Sequence, residues 1–181
     1  MKSEILREIK EDLKLAMALE VQYRKLKTYA DSDAFKQVIT QKEVSRAIIS
    51  MFPEIGVKPD KASDIDTVKL IKKYINMEKT RLLYVDKHLT EGDVSSLSST
   101  ELNKLVTEKI DELGSNLSSD KIVIAKKYLP PSLSEEELIE WIKENIDFSK
   151  LKNKMQAMGI IMKQYSGMDG NFVKKVLINN F

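Results

Sequence analysis

The chain has 181 residues, enough for one large or two small domains. It is 42% hydrophobic and 32% charged, as expected of a soluble globular protein with a large solvated helical surface, and its six glycines and four prolines favour helix over sheet. The absence of cysteine excludes disulfides, thiol catalysis and cysteine-held zinc or iron–sulfur centres and fits a cytoplasmic setting, while a net charge of +2 is too small to argue for nucleic acid globally.

The opening "MKSEILREIKEDL" is charged throughout and lacks the apolar stretch of a signal peptide. Ile5, Ile9, Leu13 and Met17 recur at helical spacing, which predicts a first helix from Ser3 to about Tyr29. "ADSD" then supplies a turn and a cap. A second helix carries Val38, Ile39, Val44, Ile48 and Ile49 and stops before Pro53. "PEIGVKPDKASD" reads as a loop. Ser63, with Asp66 three residues on, starts a long helix to about Lys87, whose apolar stripe is interrupted by Glu78.

"LTEGDVSSLSS" reads as a polar linker, and Thr100 as the opening of a helix with Leu102, Leu105, Val106 and Ile110, ended by Gly114. "SNLSSD" caps "KIVIAKKYL", a segment whose setting favours helix over strand. Pro130 and Pro131 stop it and fix an extended connector. Ser134 and Glu137 form a capping box, and Glu135 and Glu136 suit the positive end of a helix running to about Ile146.

Two further helices are expected. One spans about Ser149 to Tyr165, with Leu151, Met155, Met158, Ile161 and Met162 on its apolar side and Gly167 ending it. The other spans Gly170 to about Asn179, capped by Asp169, with Phe172, Val173, Val176 and Leu177 inward. The fold class is therefore all-α, with an N-terminal helical domain over 1–129 and a three-helix domain over 130–181. No apolar run reaches the roughly 20 residues needed to span a membrane, so no membrane partner is expected.

"YLPPSLSEEELIEWI" followed by "MQAMGIIMKQYSGMDGNFVKKVL" resembles the YqeY family and the C-terminal domain of the GatB subunit of glutamyl/aspartyl-tRNA amidotransferase. The resembling features are Tyr128 to Pro130, Ser134 to Leu138, Met158 to Met162, Gly167 with Asp169 and Gly170, and Val173 to Leu177. They cover about 54 residues, and "IKEDLKLAM" extends the likeness more loosely toward the start. Stand-alone members of the family usually carry a basic residue in the glycine turn. Here Gly167-Met168-Asp169-Gly170 is one residue shorter and lacks that charge.

The resemblance implies an accessory role with tRNA. In the amidotransferase the corresponding domain helps hold the tRNA acceptor arm, and the kinase and transamidase chemistry lies in domains absent here. The family's label, a carbon–nitrogen ligase with glutamine as amido-nitrogen donor, thus does not carry over as a reaction. A protein–protein adaptor using the same small domain is the alternative. No cofactor is expected, and the oligomeric state is left open.

The residues themselves offer little catalytic material. His88 is the only histidine, with Asp86 and Glu91 near it in sequence, and it reads more simply as a polar residue at a helix end. The acids at 135–137 and 140 are explained by helix capping. From Phe148 to Phe181, six lysines face one acid, Asp169, a net +5. Lys150, Lys152, Lys154, Lys163, Lys174 and Lys175 are therefore the candidates for phosphate contact. Tyr165 and Phe172 flank the glycine turn and are candidates for stacking on a base or ribose, Phe172 reading more simply as core, and Gly167 of the turn counts with Tyr165 among the candidate RNA contacts.

Overall fold

The computed structural model describes residues 3–25, 32–130, 133–151, 153–165, 168 and 170–181. All regular structure among them is helical. The chain divides into two compact units, Met1–Tyr128 and Leu129–Phe181. No helix among the described residues is long and apolar enough to cross a membrane.

In the first unit, α1 (Glu4–Lys25) and α2 (Asp33–Ser50) lie along each other. Tyr23 meets Phe35, Glu20 meets Lys42 and Met17 meets Arg46, a descending–ascending register that makes the pair antiparallel. The expected end of the first helix, 26–29, and Asp31 of the turn lie outside the described residues. Ser32 caps α2 by accepting from the Phe35 N–H. Phe52 and Pro53 begin a 3-10 turn that ends at Gly56, whose φ of 69° is the left-handed conformation that favours glycine.

The long helix α3 (Asp64–Val85) packs against both α1 and α2. Its start is the expected capping box, with Ser63 N–H donating to Asp66 Oδ2 at 3.0 Å and Asp66 N–H donating to Ser63 Oγ at 3.2 Å. Asp64 reaches further. Its Oδ1 accepts from Ser3 Oγ at 2.7 Å and from the Ile5 N–H at 3.1 Å, which ties the first turn of α1 to the first turn of α3. Glu78, which breaks the apolar stripe of α3, is 13% exposed and paired with Arg81 at 3.0 Å. It sits near Tyr74, whose hydroxyl is pushed up to about 12, first by burial and then by the Glu78 charge.

The stretch expected as a polar linker contains a one-turn helix, α4 (Glu91–Val94), with a capping box between Thr90 and Asp93. The following helix, α5 (Ser99–Leu113), opens at Ser98 rather than at Thr100, because Glu101 completes a box with Ser98. "KIVIA" is helical, within α6 (Asp120–Lys126), which packs on α2 and α3.

Tyr128, the last residue of the first unit, is 2% exposed. Its hydroxyl donates to Asp12 Oδ2 at 2.6 Å and accepts from Gln41 Nε2 at 2.6 Å. Lys127 donates to the same Asp12 oxygen at 2.6 Å and to Gln41 Oε1 at 3.0 Å. Burial, and then the hydrogen bond to Asp12, push the Tyr128 hydroxyl well above its usual range. Partial burial raises the Asp12 carboxyl, but the bonds from Lys127 and Tyr128 outweigh this and hold it below its usual value. The tyrosine ahead of the proline pair is thus bonded to both α1 and α2. Pro131 lies outside the described residues.

Candidate functional site

The second unit is built from α7 (Glu135–Asn145), α8 (Met155–Gln164) and α9 (Gly170–Asn180). At the start of α7, Ser134 N–H donates to Glu137 Oε2 at 2.8 Å and Glu137 N–H donates to Ser134 Oγ at 3.2 Å. Leu138, Ile142, Ile146, Ala157, Ile161, Met168, Val173, Val176 and Leu177 form the core. The core is wholly aliphatic apart from the thioether of Met168.

Expected as one helix from Ser149, the next segment breaks in two. Asp147 caps a 3-10 turn (Phe148–Lys150), accepting from Ser149 N–H at 3.0 Å and Ser149 Oγ at 2.6 Å. Those bonds, and next the one from Lys150, hold the Asp147 carboxyl below its usual value. α8 begins only at Met155, where Asn153 Oδ1 accepts the Gln156 N–H at 3.1 Å. A local side-chain turn at Asp147 and an asparagine cap outcompete the helical periodicity that runs through Leu151 and Met155.

The candidate residues divide on this frame. Lys150 is exposed and paired with Asp147 at 3.1 Å, an i,i+3 contact of the kind that contributes little in water. Lys154 precedes α8 and Lys163 lies in its last turn, both exposed. At 1.5 Å per residue they are roughly 14 Å apart along the axis. Lys174 and Lys175 are exposed on α9, opposite Val173, Val176 and Leu177, and Ile178, 57% exposed, shares their outward face. Lys152, Gly167 and Asp169 lie outside the described residues.

Tyr165, which follows α8, is half-buried and meets Trp141 of α7 edge to face, with ring centroids 5.3 Å apart at 84°. Met168 occupies the turn where the resembling family carries a basic residue, and it is 1% exposed within the core. Gly170 opens α9, and a Cβ there would stand 3.1 Å from the Met158 methyl, a tight contact that the methionine end would have to relieve by shifting. Met158 and Met162 pack against the core as expected, whereas Met155 is 38% exposed.

Sequence reasoning did not single out Asp147 or Asn153; it placed Trp141 only in the apolar pattern of α7, and Met168 only in a turn that lacks the family's charge. The Asp-x-Ser pattern at 147–149 is a recognisable local turn signal. So is an asparagine three residues ahead of a helical N–H. Met168 carries no such signal.

His88 is exposed and follows Lys87, which has a φ of 58°. Among the described residues it makes no hydrogen bond or ion pair with Asp86 or Glu91, and no cluster of three or more histidines and acids could hold a metal ion. No family model, no curated protein and no solved structure matches the chain.

Proposed function

We propose that this chain is a non-catalytic accessory protein that binds tRNA through phosphate contacts made by its C-terminal unit. The supporting observation is the segregation of charge there. Six lysines and one acid lie between Phe148 and Phe181, and the acids of that unit concentrate instead in α7. Lys154, Lys163, Lys174 and Lys175 present exposed cations that are not drawn into ion pairs among the described residues. The likeness to the YqeY family and the GatB tail points the same way. Lysine contacts to phosphate give affinity without sequence readout.

Titration of the purified chain with total tRNA at about 50 and about 200 mM salt tests this reading. Each neutralised phosphate adds about 0.9 to the salt slope for duplex and about 0.7 for single strand. Replacing both Lys174 and Lys175 with glutamine should weaken binding and flatten the slope by about one to two units. Absence of binding at micromolar tRNA in low salt would overturn it. The reading assigns no glutaminase or ATP-dependent ligase step, and turnover that vanished in His88→Ala would contradict that part.

The adaptor reading is favoured by one observation, the exposure of Ile160 (46%) and Ile178 (57%) on α8 and α9. Ile178→Lys separates the two. On the tRNA reading it adds a cation beside Lys174 and Lys175 and strengthens binding; on the adaptor reading tRNA binding is absent before and after.

A further inference from the structure

The second unit holds five aromatic residues: Trp141, Phe148, Tyr165, Phe172 and Phe181. All five are packed against its core and partly exposed, and none is fully buried. The first unit, by contrast, buries three of its rings, Phe52, Tyr74 and Tyr128, at 0%, 5% and 2% exposed, while Tyr23 and Phe35 are partly exposed and Tyr84 is 40% exposed. Large rings usually supply the biggest share of apolar burial in a small core. Here aliphatic side chains fill the interior and the rings form its rim. Two pairs are built there: Trp141 and Tyr165 in a T-shaped contact, and Phe148 stacked on Phe181 with centroids 5.1 Å apart at 25°.

One part of every ring in these pairs is packed against the core. A ring held in that way loses little side-chain freedom when a second flat group lies on its remaining surface. The lysines provide the attraction. A unit of this length has a radius of gyration of about 10 Å, close to the Debye length of about 8–10 Å at physiological salt. Cations on α8 and α9 therefore act on a strand lying anywhere along this surface.

We infer that the Trp141–Tyr165 pair is a stacking platform for an unpaired base, so that the second unit takes single-stranded RNA in preference to duplex. This rests on the tRNA reading above and narrows it. In a duplex the bases are stacked on one another and offer no free face. In loops and single-stranded ends they do, and stacking on an aromatic strengthens binding about tenfold or more per base.

Trp141 is the only tryptophan in the chain, so intrinsic tryptophan emission reports this pair alone. The test titrates the full chain at low salt with an end-labelled single-stranded RNA of about twelve nucleotides, within the usual site size of single-strand binders. The corresponding duplex is titrated in parallel. Label anisotropy reads binding and tryptophan emission reads stacking.

The expected result is tighter binding of the single strand, with emission quenched by the single strand and not by the duplex. Tyr165→Leu should then weaken single-strand binding about tenfold and leave duplex binding unchanged. Anisotropy that rises with both RNAs while emission stays constant would overturn the platform and leave phosphate binding standing. Flat anisotropy with both would overturn the tRNA reading and the platform with it. The wild-type emission measurement decides the matter even if Tyr165→Leu fails to fold.

Discussion

The two units solve the burial problem differently. The first buries Phe52, Tyr74 and Tyr128 and ties the Tyr128 hydroxyl to the partly buried Asp12 and Gln41. The second fills its interior with aliphatic side chains and one methionine and leaves every ring at the rim. Buried polar bonds are costly to break and fix one arrangement of the elements that share them. An aliphatic interior is more tolerant of detail. It also leaves the aromatic surface available for contacts outside the unit.

The largest expected effect tests the first half of that contrast. Phe52→Ala should destabilise the first unit by about 3–5 kcal/mol, read as a shift in the denaturant midpoint. Phe148→Ala, at the rim of the second unit, should cost clearly less. Equal losses would abolish the distinction between interior and rim rings. Next, Met168→Ala should destabilise the second unit by about 2–5 kcal/mol, visible as faster amide exchange in α8 and α9. Unchanged exchange would mean that the turn methionine contributes nothing to the core.

Tyr128→Phe keeps the ring and removes the hydroxyl, leaving Asp12 and Gln41 each short of a partner. A loss of about 1–3 kcal/mol is expected. The pH dependence has a definite sign. The Asp12 carboxyl is held below its ordinary value of 3.8, so its bonds stabilise the fold above that pH, and the contribution is lost as pH falls through the lower folded value. The gap between wild type and Tyr128→Phe should therefore narrow below about pH 4. A gap that stays constant to pH 2 would show that the hydroxyl does not act through the ionised carboxylate. The smallest effect is Ser134→Ala, expected to cost the second unit about 1 kcal/mol through loss of its cap. A thermal melt unchanged by that substitution would contradict the cap.

The helix starts were legible in the sequence because their causes are local. Ser63 with Asp66 and Ser134 with Glu137 lie three residues apart, and nothing distant overrides them. The start of α5 was misplaced by two hydroxyls among the several in "SSLSST", and only the position of Glu101 selects Ser98. The break before α8 was hidden because Leu151 and Met155 keep helical spacing across it. The Tyr128 bonds join residues 87 and 116 positions apart, and no sequence pattern announces such a pairing. The lysines of the second unit were legible as charge. That Lys150 is tied to Asp147 follows from a local turn whose signal was passed over, whereas that Tyr165 leans on Trp141 depended on the packing of the folded chain.

Every helix from α1 to α7 begins with a serine or threonine oxygen accepting a first-turn N–H, at Ser3, Ser32, Ser63, Thr90, Ser98, Ser119 and Ser134. This bears on how the chain reaches its fold. Starting a helix is the slow step, since several residues must be fixed for a single backbone bond, at a statistical cost of about one in a thousand. A cap adds a second bond to that same turn from a residue already in place, with no long loop to close. Each cap therefore raises the share of unfolded chains in which its own first turn is formed, and does so without help from any distant contact. The seven starts are biased independently of one another, and packing supplies the rest of the helical stability.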